Sequence, residues 1–103
     1  MAKGKSLTPK YSDINGSNAD FFEGTKYSQK VLDQMKLGDF HGFPESVRAF
    51  QHDGYVTTIR GGDGIIRTQL NIPGSYKGHH GVFQFMKGPD GIINHRFFQP
   101  IKY

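Results

Sequence analysis

The sequence predicts an α+β domain in which N-terminal helices pack on a four-stranded antiparallel β-sheet running as a meander. Three observations carry this. Apolar residues between Tyr27 and Phe50 recur at helical spacing; those from Tyr55 onward fall in short β-branched and aromatic runs; and glycine-rich turns separate these runs. A chain of 103 residues has room for one core only.

Residues Met1 to about Gly24 are rich in Lys, Ser, Gly, Asn and Asp and have no apolar periodicity, with Tyr11, Phe21 and Phe22 as scattered anchors. They read as a flexible leader over 1–24, which leaves 25–103 as the folded domain. Such a leader suits a module at the end of a longer protein. Behind Ser28, an N-cap, Tyr27, Val31, Leu32 and Met35 share a helical face, so a helix is predicted over 27–36, closed by Gly38. The loop Asp39-Phe40-His41-Gly42-Phe43 then leads to Pro44 in the first turn of a second helix. That helix runs through Val47 and Phe50 to about His52, with Glu45 complementing its dipole and Asp53-Gly54 ending it.

Strands are predicted at 55–60, 65–72, 81–87 and 92–98. Gly61-Gly62-Asp63-Gly64 and Gly88-Pro89-Asp90-Gly91 read as hairpin turns, and Pro73 to Gly78 as a longer connection. The two turns are each followed by Ile-Ile and resemble an internal repeat. Turn chemistry explains them better than phosphate binding, because neither has the glycine spacing and following helix of a nucleotide loop.

The absence of cysteine excludes disulfides, thiolate metal sites and cysteine nucleophiles. Apolar stretches of only a few residues offer neither a membrane span nor a signal-peptide core, so export would depend on another polypeptide segment. A net charge of +4 and a pI near 9.4 favour polyanionic partners.

Cleaving RNA without a metal requires a base for the 2′-hydroxyl proton, an acid for the 5′-oxygen, and cations for charge developing on phosphorus. The chain has five histidines, at 41, 52, 79, 80 and 95. His41, in the loop before a helix N-terminus, is the first choice, with Asp39 able to orient its ring and Glu45 able to serve as a carboxylate base. In the last strand, side-chain alternation groups His95 with Ile93 and Phe97, and Arg96 with Asn94 and Phe98. The more polar company favours Arg96 for an exposed working face, and a bulge would reverse this. Arg67 is available to phosphate on the second strand, opposite a core series of Ile66, Thr68, Leu70 and Ile72. Lys77, His79 and His80 form a phosphate-attracting rim. His79-His80 with Asn94-His95 also suggests a histidine-metal nuclease, but such a site needs its last ligand on a following helix and none remains. No metal and no cofactor is therefore expected.

The stretches Tyr27-Ser-Gln-Lys-Val-Leu-Asp-Gln-Met35, Gly38-Asp-Phe-His-Gly-Phe-Pro-Glu-Ser-Val47 and Ile92-Ile-Asn-His-Arg-Phe-Phe98 together resemble the C-terminal nuclease domains of bacterial polymorphic toxins. The likeness is to those of LXG-type and contact-dependent inhibition toxins, and covers about residues 25–100. The resemblance implies a barnase/EndoU/colicin/RelE-like fold and a ribonuclease acting on tRNA or rRNA, with His41, His95 and Arg96 as motif positions. It also implies delivery as part of a larger secreted or cell-surface toxin, action in the target-cell cytoplasm, and a cognate immunity protein. Charge makes that partner acidic, and the free domain is expected to be monomeric. The competing expectations are a metal-dependent DNase toxin and a non-catalytic nucleic-acid-binding module.

Overall fold

The computed structural model describes residues 20–102. The leader expected over 1–24 lies outside the described residues except at its end, and that end is not a linker. Phe21 and Phe22 are both buried in the core. Gln51 holds them there: its Oε1 accepts from the Phe21 amide at 2.8 Å while its Nε2 donates to Asp20 at 2.9 Å. Arg48 adds a cation over the Phe22 ring at 4.2 Å.

The fold is α+β with one five-stranded mixed sheet. A short strand β1 (Lys26–Tyr27) leads into helix α1 (Gln29–Gln34) and then a 3₁₀ segment (Glu45–Asp53). Four longer strands follow: β2 (Tyr55–Arg60), β3 (Ile66–Tyr76), β4 (His79–Lys87) and β5 (Ile92–Pro100). The order β1-β5-β4-β3-β2 keeps the expected antiparallel meander for β2 to β5. The expectation of four antiparallel strands is corrected by β1, which pairs parallel to β5 through Lys26↔Ile92 and Tyr27↔Ile93. A two-residue strand carries almost no periodicity of its own, so only the exposed edge of β5 could select it.

Ser28 caps α1 as expected, its hydroxyl accepting from the Val31 amide at 3.2 Å. The helix is shorter than 27–36 because Tyr27 is held in the sheet, and only Val31 of the predicted face is buried; Leu32 is exposed. The second helix is instead a 3₁₀ segment, broken where Phe50 leaves helical geometry. Val47 packs against the core as expected, Arg48 and Gln51 add polar tethers, and Phe50 is exposed.

The turns at 61–64 and 88–91 are identical. In each, the last glycine has a positive φ, 82° at Gly64 and 81° at Gly91, and the aspartate Oδ1 accepts the amide two residues on at 2.9 Å. The connection expected over 73–78 is absent: β3 continues to Tyr76 and turns at Lys77-Gly78, both with positive φ. Pro73 is tolerated in this strand because β2 ends its pairing at Tyr55↔Asn71, so β3 has only β4 beside it from Ile72 onward.

One face of the sheet carries Leu70, Ile72, Phe83, Phe85, Ile93 and Phe98, which join Phe21, Phe22 and Phe43 in the core. Ile66 of the predicted core series is exposed at the open end of the sheet. The rings meet edge to face, as in Phe43–Phe83 at 4.8 Å and Phe22–Phe85 at 4.8 Å, the arrangement that aromatic quadrupoles favour. The opposite face carries alternate residues of the same strands, among them Gln69, Gln84, His95 and Phe97.

Candidate functional site

A β-bulge decides what β5 presents on each face. Met86 pairs with His95 while the next residue, Lys87, pairs with Ile93, so Asn94 is the extra residue and the alternation slips by one there. Ile93 therefore shares the core face with Arg96 and Phe98, and His95 shares the opposite face with Phe97. The expectation that Arg96 works on an exposed face is thereby corrected: its side chain is completely buried.

Arg96 is instead the anchor of the loop that carries His41. Its Nη1 donates to the His41 carbonyl and its Nη2 to the Phe43 carbonyl, each at 2.8 Å. The guanidinium lies 3.8 Å over the Phe43 ring and its Nη2 stands 3.5 Å from Glu45 Oε1. Glu45 is fully engaged on this side of the sheet, accepting from the Tyr27 hydroxyl at 2.6 Å and facing Arg48 at 3.7 Å. Burial, with this bond to Glu45, pushes the Tyr27 phenol above its ordinary value. Glu45 is thus part of a structural network and does not face the imidazoles.

The loop follows the free edge of β5 beyond β1, with the Phe40 carbonyl accepting from the Phe98 amide at 2.9 Å. Successive side chains then fall on alternate sides. Phe40 packs at 5.6 Å from Phe98 and Phe43 enters the core, whereas the His41 ring lies against Phe97 at 4.9 Å. Gly42 permits this path, since a Cβ there would stand 2.3 Å from the Leu37 carbonyl oxygen.

His41 and His95 therefore both lie beside the Phe97 ring, the His95 centroid 6.3 Å from that of Phe97. His41 Nδ1 stands 3.1 Å from Asp39 Oδ1, and the same oxygen accepts the His41 amide at 2.9 Å. The amide and imidazole of His41 hold the Asp39 carboxyl below the usual carboxylate range. His95 Nε2 lies 2.9 Å from Gln84 Oε1. Burial, then the positive fields of Lys30 and His41, lower the His95 pKa beneath its ordinary 6.5. The site thus offers one imidazole with a carboxylate partner, one that is neutral at pH 7, and a lysine on α1 within their field. That is the equipment of general acid–base chemistry beside an anion.

No family model, curated protein or solved structure matches this chain.

The remaining sequence candidates are not gathered there. Arg67 is held by Asp63, with Nη2 to Oδ2 at 3.0 Å, beside the two glycine-rich turns. This pairing raises the Arg67 pKa and lowers that of Asp63. His79 lies edge-on to Phe40 at 5.5 Å, His80 Nδ1 is 2.9 Å from the Ser75 hydroxyl, and Lys77 reaches back over Tyr76 at 5.4 Å. These three belong to the β3–β4 turn and form no rim with His95. Among the described residues, no three His, Asp or Glu side chains come together as a metal-holding group, and no helix is long and apolar enough to cross a membrane. Sequence reasoning missed Gln84 and Lys30. Gln84 alternates with the core residues Phe83 and Phe85, a signal that it faces the other side, whereas nothing in the sequence links Lys30 to His95.

Proposed function

We propose that this chain is a metal-independent endoribonuclease, the toxic domain of a larger antibacterial protein. The observation that carries the reading is the pair of imidazoles beside Phe97 with unlike partners, a carboxylate for His41 and an amide for His95. In this reading His95 takes the proton from the 2′-hydroxyl as O2′ bonds to phosphorus. His41 gives a proton to the departing O5′, leaving a 2′,3′-cyclic phosphate and a 5′-hydroxyl. Lys30 supplies positive charge to the phosphorane. Arg96 touches no substrate; it fixes the backbone on which His41 stands.

The net charge of +4 supports both an RNA substrate and an acidic immunity protein that covers this face. The test is incubation of the purified full chain with total RNA in EDTA, with fragment ends mapped. Cleavage that leaves cyclic phosphates, and falls at least tenfold in His41→Ala and in His95→Ala, is the expected result. Intact tRNA and rRNA after hours at micromolar protein overturn the reading. Plasmid nicking that stops in chelator assigns a metal-dependent DNase instead, and binding without cutting assigns a recognition module.

A further inference from the structure

The two imidazoles differ in the charge of their partners and in the ring nitrogen each partner holds. Asp39 places a negative charge at 3.1 Å from His41 Nδ1, so it orients the ring. At His95 the corresponding atom is the Gln84 side-chain oxygen at 2.9 Å, which accepts a hydrogen bond as well but adds no net charge. An amide oxygen can only accept, so the proton of neutral His95 belongs on Nε2. Its Nδ1 has no partner among the described residues and is not sealed from solvent.

The surroundings of His95 act in the same direction. Lys30 on α1 and His41 on the loop are the charged or titratable groups that bear on it. From β4 it meets neutral Gln84 and Met86, and on its own strand Phe97, while Arg96 points to the other side of the sheet. Among the described residues, no carboxylate acts on His95 against these two neighbours.

We propose that Gln84 is the positioning residue that commits His95 to the base role, with Nδ1 as the nitrogen that receives the 2′-hydroxyl proton. This rests on the ribonuclease reading above. The proton balance closes: His95 gains one at Nδ1 as the O2′–P bond forms, His41 loses one from Nε2 as the P–O5′ bond breaks, and solvent restores both. The amide on His95 thus fixes which of its nitrogens is open to take the proton.

The experiment compares the full chain with Gln84→Glu and Gln84→Met, using ¹⁵N NMR of the histidine rings and the pH dependence of kcat/KM. In the unaltered protein at pH 8, His95 is expected to carry its proton on Nε2. Gln84→Glu, nearly the same shape but charged, is expected to raise the His95 pKa by about 1–3 units and move the acid limb of kcat/KM up with it. Gln84→Met removes the acceptor without adding charge, so kcat is expected to fall at least tenfold with no upward shift of that limb. Gln84 lies off the core face, and an unchanged backbone amide spectrum in both variants checks that they fold. A proton on His95 Nδ1, or a His95 pKa unmoved by Gln84→Glu, overturns the proposal. If the NMR results are as expected but the unaltered chain leaves RNA intact, the ribonuclease reading and the base role fall together, while the hold of Gln84 on the tautomer stands.

Discussion

Replacing Arg96 by methionine separates a structural arginine from a catalytic one. Methionine matches the aliphatic stem and fills the space beside Phe43 and Phe85, but it leaves the carbonyls of His41 and Phe43 without donors. Two charge-assisted hydrogen bonds, at about 1.5–3 kcal/mol each, put the loss at about 3 kcal/mol or more. A domain of this size has about 5–15 kcal/mol to lose, and each kcal/mol moves Tm by about 4–8 °C, so a fall of at least about 12 °C is expected. Arg96→Lys keeps the charge but has no planar fork to span both carbonyls, and its Tm should lie between the two. Thermal unfolding followed by circular dichroism reads both. If Arg96→Met unfolds within about 3 °C of the unaltered protein, the guanidinium does not hold the loop and the account of the His41 position fails.

Three further outcomes are expected. Because the His95 pKa is lowered in the fold, His95 contributes stability that is present above pH 6.5 and lost as pH falls through the depressed value; the acid limb of kcat/KM should likewise lie below 6.5. Denaturant titrations at pH 7.5 and 5 check the first half, and losing that difference in His95→Ala identifies the group. Arg67→Ala breaks an ion pair with an exposed partner, so Tm should barely move and RNA cleavage should change by less than threefold; a hundredfold loss of cleavage would return Arg67 to the chemistry. Gly42→Ala forces a Cβ against the Leu37 carbonyl, so the loop must move; cleavage should fall more steeply than binding of uncleavable 2′-deoxy RNA measured by fluorescence anisotropy.

The strands were legible wherever local chemistry suffices. Asp63-Gly64 and Asp90-Gly91 mark turns that the aspartate side chain and the glycine backbone enforce by themselves, and the runs between them pair as expected. The Ser28 cap was legible for the same reason. Phe21 and Phe22 were not, because their neighbours in sequence look like leader and the contacts that bury them come from Gln51, Arg48 and Phe85, far along the chain. His41 and His95 were both read as candidates from residue type and position, but nothing in the sequence brings positions 41 and 95 to the same ring, Phe97.

Composition and local pattern alone determined a cysteine-free basic chain, a meander of four long strands, the cap and the hairpins, since each depends on residues within a few positions of one another. The tertiary structure decided which side of β5 its side chains occupy. A single unpaired residue, Asn94, inverts the alternation and sends Arg96 into the core and His95 to the opposite face. A strand's side chains alternate with a period of two, so one inserted residue exchanges the faces, and that slip is set by the partner strand rather than by the sequence of β5 itself.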